Sequence, residues 1–197
     1  MQNKLNLDAK KMVLLAILTA IVVTLQLLAV VVPVYPFKLN LSLIPIVIAA
    51  AMITPLAACW LGIVFGIVVL LTSPDVVPFM LYSPAATIFV VLLRGALAGL
   101  FAGMVYKLFK EKGKTLAVIT AAIICAVTNT AIFIIAVYAF FLPVLEQWGI
   151  VESTDIALFV FISMVGVNFL IEFGLNLIFS PVIVRLLNIH SKMNTNG

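Results

Sequence analysis

Arg94 poses the sharpest chemical question in this chain. It stands inside the apolar run Val90-Val91-Leu92-Leu93-Arg94-Gly95-Ala96-Leu97-Ala98-Gly99-Leu100. A charge at that depth in hydrocarbon is costly, so it has a partner and a purpose. Two further apolar stretches carry polar groups. Asn129 is flanked by Thr128 and Thr130, while Asn168, Glu172 and Asn176 recur every fourth residue. That spacing lines one stripe of a helix, and Thr87, seven residues before Arg94, shares its face. A guanidinium fork matches a carboxylate or phosphate, and Asn and Glu side chains read hydroxyls and amides. Together they describe a binding site for a small anionic ligand.

Depth supports this grouping. Arg94 lies thirteen residues before Lys107, Glu172 thirteen before Arg185, and Asn129 fifteen after Lys114. At ~1.5 Å per residue each stands ~20 Å from a basic edge, in the outer half of a ~30 Å core. A polar stripe cannot face lipid, so it faces the bundle interior or a water-filled cavity. The alternative is an Arg94–Glu172 pair that only ties two helices. Such a pair adds little net stability over an apolar one, and the surrounding Asn and Thr residues exceed what a tether needs.

Catalysis lacks its residues. There is no G-x-x-x-x-G-K-[ST], so the P-loop route to ATP hydrolysis is closed, and no H-E-x-x-H or G-x-S-x-G is present. The single histidine, His190, lies in a polar tail. Cys59 and Cys125 sit in apolar runs and read as small buried hydrophobes. The expectation is a protein that is not an enzyme and that holds no cofactor and no metal.

The elements that position these residues follow from hydropathy. Of 197 residues 65% are hydrophobic and 9% charged, against about one half and one quarter in a soluble domain. The chain reads as an all-α membrane protein, a single domain over 1–197 built as a compact bundle of six transmembrane helices. The spans are about 12–32, 42–53, 55–72, 84–109, 115–141 and 157–187, with a tail at 188–197. Thr54-Pro55 divides the second from the third, because proline suits the first turn of a helix and its predecessor disfavours helical geometry. The first run is too long for a signal-peptide core and reads as a retained helix.

Lys4, Lys10, Lys11, Lys107, Lys110, Lys112, Lys114, Arg185 and Lys192 fall on one side of this layout. Lys38, Asp75, Glu146, Glu152 and Asp155 fall on the other. The positive-inside rule then puts both termini in the cytoplasm. The net charge of +4 is topology, not a nucleic-acid patch. The outer connections at 33–41, 73–83 and 142–156 serve either as interfacial packing or as a lid, and they bring Asn40 and Tyr82 into the candidate binding set. Gly95, Gly99 and Gly103, and Gly62 and Gly66, form small-residue rows for close helix packing. Ala16 and Ala20 form a similar row on the first helix, open to internal packing or to a partner subunit.

This layout resembles the S components of energy-coupling factor (ECF) transporters, over roughly 12–187. The residues that carry the resemblance are Leu41-Ser42-Leu43-Ile44-Pro45-Ile46-Val47-Ile48, Gly62-Ile63-Val64-Phe65-Gly66, Tyr82-Ser83-Pro84, Leu92-Leu93-Arg94-Gly95, Thr128-Asn129-Thr130 and Phe140-Phe141. Their order is similar to the pantothenate-type branch. The Asn168-Glu172-Asn176 stripe falls outside that pattern. The resemblance implies a multi-pass protein of a bacterial or archaeal plasma membrane that captures a vitamin from outside. It implies partners: a shared transmembrane coupling subunit, met through Ala16 and Ala20, and two cytoplasmic ATPases. Pantothenate is the first expectation, its carboxylate on Arg94 and its hydroxyls and amide on Asn129, Asn168 and Glu172. The alternatives are another vitamin (riboflavin, folate, a pyridoxine-like compound or a thiamine precursor) or an autonomous proton-coupled carrier.

Overall fold

The computed structural model describes residues 2–31, 41–147, 170, 174–175, 178–185 and 188. Its elements in chain order are α1 (Gln2–Val31), α2 (Leu43–Met52), α3 (Pro55–Thr72), a 3₁₀ turn (Pro74–Val76), α4 (Val77–Tyr82), α5 (Pro84–Phe109), α6 (Lys114–Phe140) and α7 (Leu142–Gln147). No strand occurs among the described residues. Among the described residues four helices are long and apolar enough to cross a membrane: Ala9–Val31 within α1, α3, α5 and α6. α2 has 10 residues, about 15 Å, half the thickness of a hydrocarbon core. The expected sixth span, 157–187, falls largely outside the described residues, so the six-helix count is not established. Residues 178–185 are helical.

The boundary between α2 and α3 forms for the reason the sequence gives. Thr54 is extended (φ −159°, ψ 162°), Pro55 opens α3, and the Thr54 hydroxyl accepts from Ala57 N at 3.1 Å. α1 begins near the chain's start, because Leu, Lys and Ala continue a helix through the basic segment, and its apolar, membrane-length part is Ala9–Val31. Two expectations need correction. The connection 73–83 is a 3₁₀ turn followed by α4, started by Pro74 and Pro78 in first-turn positions. The stretch after α6 likewise begins as helix α7.

α2 lies at the centre, against α1, α3, α5 and α6. Leu43, Ile46, Val47 and Ala49 are all fully buried. α3 and α5 run antiparallel in backbone contact. A Cβ at Gly62 would fall on the Gly95 carbonyl, one at Gly99 on the Ala58 carbonyl, and one at Gly66 within 2.9 Å of Val91 O. Only hydrogen fits at these crossings. The small-residue rows thus meet each other inside the protein, which is how helices approach closely in lipid.

The ends of the bundle differ in charge. Lys107, Lys110, Lys112 and Lys114 surround the α5–α6 turn, and Lys114 Nζ donates to Asn188 Oδ1 at 3.1 Å. Gly103 packs on Pro55, which brings the α2–α3 boundary to this end. Residue 188 and the start of α6 therefore share one end of the bundle.

Candidate functional site

α4, α5, α6 and α7 build an aromatic cluster toward the opposite end. Phe79 of α4 meets Phe133 of α6 edge-on at 6.2 Å between centroids, and Phe141 at 4.9 Å. Val90, Ala136 and Val144 close around them. The backbone of α5 is held against α3 on one side of Arg94 by the glycine contacts. The Arg94 guanidinium carbon then lies 5.5 Å from the centroid of the Phe133 ring, and Nε is withdrawn from solvent. A cation over an aromatic face is worth about 0.5–2 kcal/mol, rising with desolvation. The interaction orients the guanidinium, whose planar fork has the shape that matches a carboxylate or phosphate.

Asn129 lies four residues before Phe133, one helical turn, so it stands ~6 Å below Arg94's aromatic support. It is 6% exposed, and its Oδ1 accepts no hydrogen bond among the described residues. A buried acceptor left open costs about 1–3 kcal/mol. Arg94 of α5 reaches Phe133, one helical turn along α6 from Asn129. Thr87 is buried on the same helix as Arg94, but its hydroxyl donates to Ser83 O at 2.8 Å and closes its own first turn. Tyr82 ends α4 and is 45% exposed. Asn40, Asn168, Glu172 and Asn176 lie outside the described residues, as does any Arg94–Glu172 pair.

Sequence reading missed a second polar group of the same depth. Gln26 of α1 is 5% exposed. Ser42 Oγ donates to Gln26 Oε1 at 3.3 Å, and Gln26 Nε2 donates to Ser73 Oγ at 3.4 Å. The start of α2 and the end of α3 are thus tied to α1. The signal was available: Gln26 lies fifteen residues after Lys11, as Asn129 does after Lys114. Ser73 leads through the 3₁₀ turn to α4 and Phe79, so this node supports the aromatic cluster.

α1 faces two ways. Leu18, Val22 and Gln26 are buried, four residues apart. Ala16 and Ala20 are exposed on the opposite side, beside Val13, Ile17 and Ile21. Among the described residues no group of His, Cys, Asp or Glu comes together that could hold a metal ion.

Comparison with known proteins adds one finding. A family model described as "ECF transporter, substrate-specific component" matches residues 10–184. No curated protein and no solved structure matches the chain.

Proposed function

Because the chain belongs to the ECF transporter substrate-specific component family, we propose that it captures a small anionic vitamin, pantothenate first, for ATP-driven uptake. The family makes it a membrane-embedded, substrate-binding transporter subunit rather than an enzyme, working with ECF coupling and ATPase components. In our reading the ligand carboxylate binds the Arg94 fork. Its hydroxyl or amide donors satisfy Asn129 Oδ1, and Asn168 and Glu172 complete the polar lining. We assign Tyr82, Asn40 and Thr87 to the same binding set. The basic end faces the cytoplasm of a bacterium or archaeon, following the positive-inside rule. Six spans, with both termini inside, complete this arrangement.

Ala16 and Ala20 form the contact with the coupling subunit. Their exposure beside bulky apolar neighbours supports that assignment, because a small-residue strip lets a partner helix come close. When ATP is hydrolysed, the loaded subunit topples against its partner and delivers the vitamin inside.

One observation carries the substrate reading: Arg94 on Phe133 with an open buried acceptor, Asn129 Oδ1, one turn away. The test is equilibrium binding of radiolabelled pantothenate to the purified chain, with riboflavin, folate and pyridoxine in parallel. Saturable pantothenate binding lost in Arg94→Ala supports the proposal. Tight binding of another vitamin moves the substrate and keeps the class, and unchanged affinity in Arg94→Ala reduces Arg94 to a helix tether.

A further inference from the structure

We propose that the α5–α6 turn is a binding surface for anionic phospholipid headgroups, a property separate from vitamin capture. Residues 107–114 carry Lys107, Lys110, Lys112 and Lys114 against the single acid Glu111. All four lysines are exposed. The negative C-terminal end of α5 accounts for Lys107 and Lys110, since cations are favoured within the last turn of a helix. It does not account for Lys112, within the turn, or for Lys114, the first residue of α6, where the helix field disfavours cations.

Internal partners hold little of this charge. Lys110 reaches Glu111 at 3.4 Å, an exposed pair of the kind that contributes little. Lys112 Nζ sits 5.2 Å from the Phe109 ring centroid, and Lys114 donates to the neutral side chain of Asn188. The surplus positive charge is thus held in place and directed outward.

What flanks the lysines selects the occupant. Leu108 is 71% exposed and Leu116 44% exposed, immediately beside them. A phospholipid offers a phosphate to the lysines and acyl chain to the two leucines in one molecule. Free phosphate satisfies only the first, and a soluble acidic protein leaves the leucines in water. Basic segments at the membrane surface attract anionic lipid in this way, within a Debye length of roughly 8 Å at physiological salt.

The experiment uses the full chain purified in detergent, with no vitamin and no partner, so it stands whether or not the substrate reading holds. Melting temperature is measured with added dioleoylphosphatidylglycerol, dioleoylphosphatidylcholine or inorganic phosphate. The expected result is a rise with phosphatidylglycerol alone, lost in the Lys110→Gln/Lys112→Gln/Lys114→Gln variant and suppressed by high salt in the wild type. Lipid co-purified from mixed vesicles should also lose its phosphatidylglycerol enrichment several-fold in Lys112→Gln alone. Equal rises with the two lipids, full persistence in the triple variant, or the same rise with phosphate alone would overturn the proposal. If the triple variant does not fold, the single variant and the salt titration decide.

Discussion

At the scale of residues, Arg94 and Asn129 make opposite predictions about affinity and stability. On the proposed binding mode, Arg94→Ala removes a charge-assisted contact to the ligand carboxylate, a loss of about 2–5 kcal/mol, so pantothenate affinity should fall by roughly 30-fold or more. Equilibrium binding measures it. Asn129→Leu removes the open acceptor Oδ1 from a buried position. It should raise the melting temperature of the unliganded protein while weakening ligand binding, because the cost of about 1–3 kcal/mol for an unpaired buried group disappears. A lower melting temperature would instead mark Asn129 as structural. Both residues stand out in the sequence as polar exceptions within apolar runs. Gln26 was equally exceptional by the same count and was passed over, since an uncharged amide among leucines is a weaker signal than an arginine.

At the scale of elements, the seam between α3 and α5 and the Gln26 node carry the testable claims. A methyl group at Gly62 or Gly99 would meet backbone carbonyl, which cannot give way as a side chain can. Gly62→Ala and Gly99→Ala should each destabilise by more than the 1–3 kcal/mol typical of an overpacked core, measured as loss of melting temperature in detergent. Gly113, with open space around it and φ of 146° in the α5–α6 turn, tests backbone strain instead. Gln26→Leu strands Ser42 and Ser73 and should cost about 1–3 kcal/mol, whereas adding Ser42→Ala should recover part of that loss in a double-mutant cycle. Among the described residues α1, α2, α3, α5 and α6 and their order were readable from hydropathy, and Thr54-Pro55 gave an accurate division. The connections were not. Residues 73–83 looked like a loop because prolines and an acid punctuate them, yet the same prolines open a turn and a short helix when packed under Phe133. The meeting of the two glycine rows is a tertiary fact that spacing alone does not specify.

At the scale of the whole molecule, α1 presents two different sides. Its inner side holds the Gln26 node and its outer side exposes Ala16 and Ala20. Ala16→Leu with Ala20→Leu should leave ligand affinity intact and abolish capture of the coupling subunit, assayed by pull-down from reconstituted membranes. Loss of both would indicate a folding defect, and loss of neither would remove these alanines from the contact. The glycine seam has one more consequence. Contacts at Gly66, Gly62 and Ala58 clamp α5 from Val91 to Gly99, on both sides of Arg94. The backbone that delivers the guanidinium has already lost its freedom on folding, so a ligand need not order it. Binding should then be enthalpy-driven with a small entropic penalty, and a seam loosened by Gly99→Ala should weaken it through entropy while every contacting side chain stays the same.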